Sequence, residues 1–213
     1  MYGTGVSNMT IAIIGTGSIG SAIANDLANS NEEILLVNTH QEKAEQLAQT
    51  LGNNFSAVTA DVALQKADIL ILSIWFAEQM QFINNNFKAL ADKIIIDPSN
   101  PIAFDENGNV YKNLPDKTAA GEILQQLLPI SASYVKAFGT LQASSLSDSA
   151  HLDPKAILYY YSAKAEAKNS IEVLINAAGF KAEAVELADG KTLDLEVGGR
   201  LHELGGLGKV PFE

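Results

Sequence analysis

The chain has no cysteine at all. This excludes disulfides, thiolate nucleophiles and cysteine-ligated metals, and leaves the redox compartment open. Positive charge is also scarce. Fourteen Lys and Arg stand against 25 Asp and Glu, a net charge of −11, and no stretch gathers basic residues into a run. That balance argues against a phosphate-rich polymer as partner. No apolar run approaches the roughly 20 residues of a membrane-spanning helix. Met1–Asn8 is small and polar and lacks the basic-then-apolar order of a secretory signal. The composition therefore reads as a soluble, cytoplasmic protein. Histidine occurs three times and tryptophan once, and neither the histidines nor the acids stand at the spacing of a metal site or a catalytic triad.

What the chain does have is apolar residue. Its 213 residues are 47% hydrophobic, enough for one sizeable α/β core. The most informative stretch is Ile11-Ala12-Ile13-Ile14-Gly15-Thr16-Gly17-Ser18-Ile19-Gly20. A β-branched run of strand length ends in Gly-x-Gly-x-x-Gly, and a helical pattern follows at once, with Ile19, Ile23, Ala24 and Leu27 on one face. In that context the glycines spell dinucleotide binding. Gly15 permits the tight turn, Gly17 lets a pyrophosphate come up to the backbone, and Gly20 lets helix and sheet pack closely. The phosphates then lie on the free N–H groups at the helix start. S-adenosylmethionine enzymes use a related turn, so a methyltransferase is a competing reading.

The second strand, Glu33–Asn38, decides the cofactor. An NAD site usually carries an acid there for the ribose 2′-OH, and a methyltransferase likewise. Here the strand ends Asn38-Thr39-His40, with Lys43 one turn into the next helix. Without a carboxylate, and with donors in its place, the end favours NADP over NAD. No Arg offers a bidentate phosphate grip. Thr39 is alternatively the cap of helix Gln41–Leu51, with Glu42 completing a capping box.

Further elements follow in order. Ser56–Thr59 reads as a short strand, Asp61 to Ala67 as a helix, and Asp68–Ile74 as the most hydrophobic strand. Its end, Ser73-Ile74-Trp75, falls where open α/β sheets place ligands. Trp75 is either a pocket wall or a packing aromatic. Helix Ala77–Leu90 presents Met80, Ile83, Phe87 and Leu90 as its buried stripe. Strand Lys93–Asp97 runs into Pro98-Ser99-Asn100-Pro101, a rigid turn. Asn100 there either faces a nicotinamide or closes an Asx turn. Ile102–Pro115 reads as a polar loop able to lie over the pocket, and a helix starts at Thr118 and stops at Pro129. Tyr134–Phe138 is a strand whose Lys136 is expected to face solvent. Ser144–Asp153 reads as a loop containing His151. Strand Lys155–Ser162, helix Ala163–Ala178 with Gly179 as C′, and strand Phe180–Leu187 complete the pattern. In the tail, Gly198-Gly199 either cap a helix or bring the chain close to the cofactor.

Taken together, the glycine turn, Ser99-Asn100-Pro101, Val135-Lys136-Ala137-Phe138-Gly139-Thr140-Leu141 and Gly198-Gly199-Arg200-Leu201 resemble the deazaflavin (coenzyme F420)-dependent NADP oxidoreductases and related bacterial dinucleotide-binding reductases. The resemblance implies a Rossmann-like, doubly wound, mostly parallel sheet with extra C-terminal strands and a short tail. It divides the chain into an N-terminal extension (1–8), a dinucleotide-binding domain (9–142) and a strand-helix-strand extension on the same sheet (143–213). It implies hydride transfer between nicotinamide and a flavin-like, deazaflavin or other small acceptor, with no protein acid or base, and a homodimer. In relatives the end of strand two holds the 2′-phosphate, often with Ser or Thr followed by Arg, where this chain has Thr39 and His40. The expected cofactor contacts are thus Gly15, Thr16, Gly17, Ser18, Ile19, Gly20, Asn38, Thr39, His40, Lys43, Ser73, Ile74, Trp75, Asn100 and Pro101. The alternative function is a non-catalytic NAD(P)-binding redox sensor.

Overall fold

A computed structural model describes residues 9–187 and 191–203. The extension at residues 1–8 and the end of the tail lie outside the described residues. The first half alternates strand and helix: β1 (Thr10–Ile14), α1 (Ser18–Asp26), β2 (Glu33–Val37), α2 (Gln41–Leu51), β3 (Phe55–Ala57), α3 (Ala60–Lys66), β4 (Ile69–Leu72), α4 (Phe76–Asn86) and β5 (Ile94–Asp97). A hairpin, β6 (Ile102–Phe104) with β7 (Val110–Lys112), precedes α5 (Ala120–Leu127). Then come β8 (Ser133–Lys136), α6 (Ala143–Ser149), β9 (Ile157–Ser162), α7 (Lys168–Ala177) and β10 (Lys181–Ala184).

Eight strands form one sheet in the order β10-β9-β8-β5-β4-β1-β2-β3. Every neighbouring pair is parallel except β8 with β9. The fold is thus α/β, with a mostly parallel, Rossmann-like sheet. Its first strands read as unbroken apolar runs because both faces are covered. Alternate side chains point to opposite faces. Ile11, Ile13, Ile34, Leu36, Ile69 and Ile71 join one buried cluster with residues of α1, α2 and α7. Ala12, Ile14, Leu35, Val37, Leu70 and Leu72 join the other with residues of α3, α4 and α5. Each such fully buried Ile or Leu contributes about 1.5–3 kcal/mol over an exposed one. No helix among the described residues is long and apolar enough to cross a membrane.

The structure departs from the sequence expectations where tertiary contacts decide. Ser144–Asp153 is not all loop: Ala143–Ser149 is helical. Ser and Asp compete with the backbone and disfavour helix interiors, but Leu146 is fully buried and α6 packs on α1, which outweighs propensity. Helix α4 stops at Asn86, after three successive asparagines, and a 3-10 turn carries Phe87–Leu90. That tighter turn takes Phe87 off the buried stripe and leaves it 48% exposed. The polar stretch after Pro101 contains the β6–β7 hairpin, whose turn is held by the Asp105 carboxylate accepting from the N–H groups of Asn107 and Asn109. Thr39 does not cap α2. His40 occupies the cap position, and its N–H donates to Asn38 Oδ1 at 2.9 Å. Helix α7 begins only at Lys168, after a 3-10 turn at Ala165–Ala167. The last strand is confined to Lys181–Ala184. Lys136, expected to face solvent, is 1% exposed. Its β8 is an interior strand between β5 and β9, and all four residues Ser133–Lys136 are buried, so both faces of the strand are covered.

Candidate nucleotide-binding site

The chain winds one way from β1 through β2 to β3, then crosses back to β4 on the other side of β1. The carboxyl ends of β1 and β4 therefore border the crevice where such sheets take ligands. Gly15 leaves β1 with φ +94°, a conformation L side chains rarely adopt. A Cβ there would meet Ser73 O at 2.5 Å and Ile74 Cγ2 at 2.7 Å. A Cβ on Gly20 would stand 2.0 Å from Gly15 O and 2.8 Å from Ser73 Oγ. These two glycines and Ser73–Ile74 thus interlock as the floor of the crevice. Gly17 differs: a Cβ there has nothing within 4 Å. The space above Gly17 is open, and the first N–H groups of α1 beside it have no intrahelical partner by helix geometry. Ser18 is exposed and Ile19 half-buried at this helix start.

The turn is tied to β2. Gly15 N–H donates to Val37 O at 2.8 Å, and Asn38 Nδ2 donates to Thr16 Oγ1 at 2.6 Å. Asn38 therefore serves as a brace between the turn and the start of α2. Thr39, His40 and Lys43 are exposed beyond it. His40 Nδ1 lies 3.9 Å from Glu42 Oε1. The donors expected for a 2′-phosphate are thus on one accessible edge, though Glu42 shares it.

The β4 end carries Ser73, whose buried hydroxyl has no hydrogen-bond partner among the described residues. Trp75 is 54% exposed and meets Phe104 of the hairpin edge-to-face, with ring centroids 6.3 Å apart. It is not a core aromatic. At the β5 end, Asn100 Nδ2 donates to Gly139 O at 2.8 Å, and Asn100 Oδ1 accepts from Val197 N at 2.7 Å. Asn100 ties the turn to the β8 end and to the tail, and buried Pro101 follows it. The structure brings Gly15, Gly20, Ser73 and Ile74 together, with Asn38 bonded to Thr16. Trp75 follows on the same β4 end, and Asn100 and Pro101 stand on the neighbouring β5 end.

Three groups here escaped sequence reasoning. Asp97 is buried and its carboxylate accepts from Lys136 Nζ and Tyr134 OH, each at 2.8 Å, from Ser99 N at 2.8 Å and from Gln79 Nε2 at 3.0 Å. Burial alone raises the Asp97 carboxyl. The Lys136 ammonium, with the hydrogen bonds from Lys136, Ser99 and Tyr134, overrides it and holds the group below its ordinary value. Tyr134 goes the other way, raised by burial and then by Asp97. Glu196, fully buried in the tail, accepts from Ala120 N, Gly121 N and Thr192 Oγ1 at 3.1, 3.0 and 2.6 Å. It thereby caps α5 from a distant part of the chain. His202 is buried 3.4 Å from Asn100 Nδ2, and burial pushes its imidazole down to about 4. The only sequence signal for these groups was a charged or polar residue inside an apolar run, as at Lys136.

The cradle at Gly17 is open, and the proteins this chain is similar to include reductases named for NADP. A family model described as NADP oxidoreductase, coenzyme F420-dependent, matches residues 10–101. The F420-dependent NADP reductase of Methanothermobacter marburgensis is 29% identical over 150 residues, 66% of this chain and 67% of that one. A crystal structure of a hypothetical protein from Sinorhizobium meliloti superposes with TM-score 0.72 at 26% identity, covering 83% of this chain and 84% of that one. A pyrroline-5-carboxylate reductase from Coxiella burnetii shares the fold, with TM-score 0.62 at 15% identity over 85% of this chain and 60% of its own. By its family match, its relatives and its fold, the chain resembles the coenzyme F420-dependent NADP oxidoreductases.

Proposed function

We propose that the protein is an NADP(H)-dependent oxidoreductase that passes hydride directly between nicotinamide and a small planar acceptor, flavin-like or deazaflavin. The observation that carries this reading is the interlocked turn at the switch point, with Gly15 and Gly20 packed shut and Gly17 open. In it, the pyrophosphate lies over Gly17 and Thr16, on the N–H groups of Ser18 and Ile19. The 2′-phosphate meets Thr39, His40 and Lys43 beside Asn38, and the nicotinamide rests between Ser73–Trp75 and Asn100–Pro101. When bound, the nicotinamide supplies the hydride. The chain's own contribution is alignment: holding the reacting carbons about 3–3.5 Å apart accounts for much of such a rate. Asp97 and Lys136 bond each other, and His202 is held neutral by burial, so the reading assigns no acid–base step. In the same reading residues 9–142 bind the nucleotide, residues 143–213 extend the sheet, and the protein is a cytoplasmic homodimer.

The test is a titration with NADPH and NADH, following energy transfer from Trp75 to the reduced nicotinamide, and then NADPH oxidation with F420, FMN and FAD. Micromolar NADPH binding, weaker NADH binding and turnover with one acceptor support the proposal. Tight binding without turnover would leave the redox-sensing module in its place. Binding of neither nucleotide would overturn both.

A further inference from the structure

Asp97 and Lys136 are each 1% exposed and form an ion pair at 2.8 Å just beneath the turn at residues 98–101. Stability does not account for the pair. Withdrawing two charges from water costs about as much as their attraction returns, and apolar replacements of such pairs are often neutral or better. Its geometry points to another task. Asp97 Oδ1 accepts from the Ser99 N–H at 2.8 Å, and Lys136 Nζ donates to the Ser99 carbonyl oxygen. One backbone residue offers one donor and one acceptor, and here a carboxylate meets the first and an ammonium the second. Such charge-assisted bonds are the shorter and stronger kind. The remaining capacity of the carboxylate goes to Tyr134 OH and Gln79 Nε2. Gln79 Nε2 also donates to Leu72 O at 2.6 Å, so one network joins the β4 end to the β5 end.

We propose that the Lys136–Asp97 pair is a positioning device for the nicotinamide end of the nucleotide site. It fixes both backbone groups of Ser99, and through them the Asn100–Pro101 turn on which the ring rests. The inference depends on the nucleotide reading above. Neighbouring contacts serve the same end. Asn100 is anchored to Gly139 O and Val197 N, and a Cβ on Gly139 would stand 2.7 Å from Pro98 O. Phe138, between Lys136 and that contact, is fully buried with φ +62°, a conformation that costs a non-glycine residue energy and persists where its surroundings enforce it. The turn is thus gripped from beneath by two charges and from the side by β8 and the tail. Both charged groups are buried and bonded to the Ser99 backbone, so in this proposal both residues act through Ser99.

The test uses two ligands of different reach. Adenosine 2′,5′-bisphosphate occupies only the adenosine end, whereas NADPH also engages the nicotinamide end. K136M alone leaves a buried carboxylate without its cation and is expected to lower the melting temperature. The double variant D97N/K136M removes both charges and is expected to fold. We expect it to bind adenosine 2′,5′-bisphosphate as the parent does and NADPH at least ten-fold more weakly, with K136R between the two. Unchanged NADPH binding in the double variant overturns the positioning role. Equal loss of both ligands, or failure to fold, makes the pair purely structural and overturns it as well. If the parent protein binds neither ligand, the nucleotide reading itself has failed.

Discussion

Gly17 and Gly20 lie three residues apart in one motif, yet the structure assigns them opposite sensitivities. A Cβ at Gly17 enters open space, and its backbone, φ −75° and ψ −163°, is one alanine adopts freely. Alanine is a poorer helix cap than glycine by about 0.5–1 kcal/mol. Reduced freedom of the unfolded chain returns about 0.4–1 kcal/mol. Gly17→Ala should therefore leave the melting temperature within about 2 °C of the parent. The added methyl occupies the space proposed for the pyrophosphate, so NADPH affinity should fall at least ten-fold, about 1.4 kcal/mol or more. At Gly20 the same methyl would stand 2.0 Å from a backbone oxygen. Relief requires moving α1 away from the sheet, an overpacking cost of about 1–3 kcal/mol. A chain of this size loses about 2–4 °C per kcal/mol, so Gly20→Ala should melt several degrees lower. Thermal melts and NADPH fluorescence titrations on both variants check this. Parent-like NADPH affinity in Gly17→Ala would refute the placement of the pyrophosphate, and an unchanged melting temperature in Gly20→Ala would refute the packing reasoning.

Asn38→Asp keeps the acceptor for the His40 N–H and can accept from the Thr16 hydroxyl, so it should fold normally. It places a carboxylate beside the proposed 2′-phosphate, and the NADPH-to-NADH affinity ratio should fall ten-fold or more. Asp26 is 5% exposed, and burial raises its carboxyl to about 7, with His151 opposing. A raised acid stabilises the fold below its unfolded value of 3.8 and loses that stability as pH rises from about 4 to 7. Asp26→Asn should therefore melt higher than the parent at pH 8 and much like it at pH 4, by about 2–4 kcal/mol at the high end. His202 has the opposite slope: its lowered imidazole costs stability as pH falls from about 6.5 towards 4. His202→Gln should flatten that limb of the melting-temperature profile. Glu196→Ala leaves the N–H groups of Ala120 and Gly121 and the Thr192 hydroxyl without their acceptor. At about 1–3 kcal/mol for an unsatisfied group, the variant should melt at least several degrees lower, and amide exchange in residues 191–203 should rise.

The sequence alone determined the alternation of strands and helices, the two-sided sheet and the glycine turn. Local patterns are sufficient there: an apolar run, glycines at fixed spacing and a helical stripe act within a few residues of one another. It also determined the absence of an acid at the β2 end, since composition at one position is a local fact. Only the tertiary structure decided what Lys136 does. A lysine in an apolar strand reads the same whether it faces water or a carboxylate on the adjacent strand, and that carboxylate is 39 residues away. The same holds for Glu196, which caps a helix 75 residues earlier. Helix α6 formed against its own composition because α1 offered Leu146 a buried place. The motif alone gave Gly17 and Gly20 different roles, but only the tertiary structure placed Ser73 and the Gly15 carbonyl against Gly20 and left Gly17 open. Long-range partners are chosen by which strand ends the sheet order brings together, and no short window of sequence carries that order.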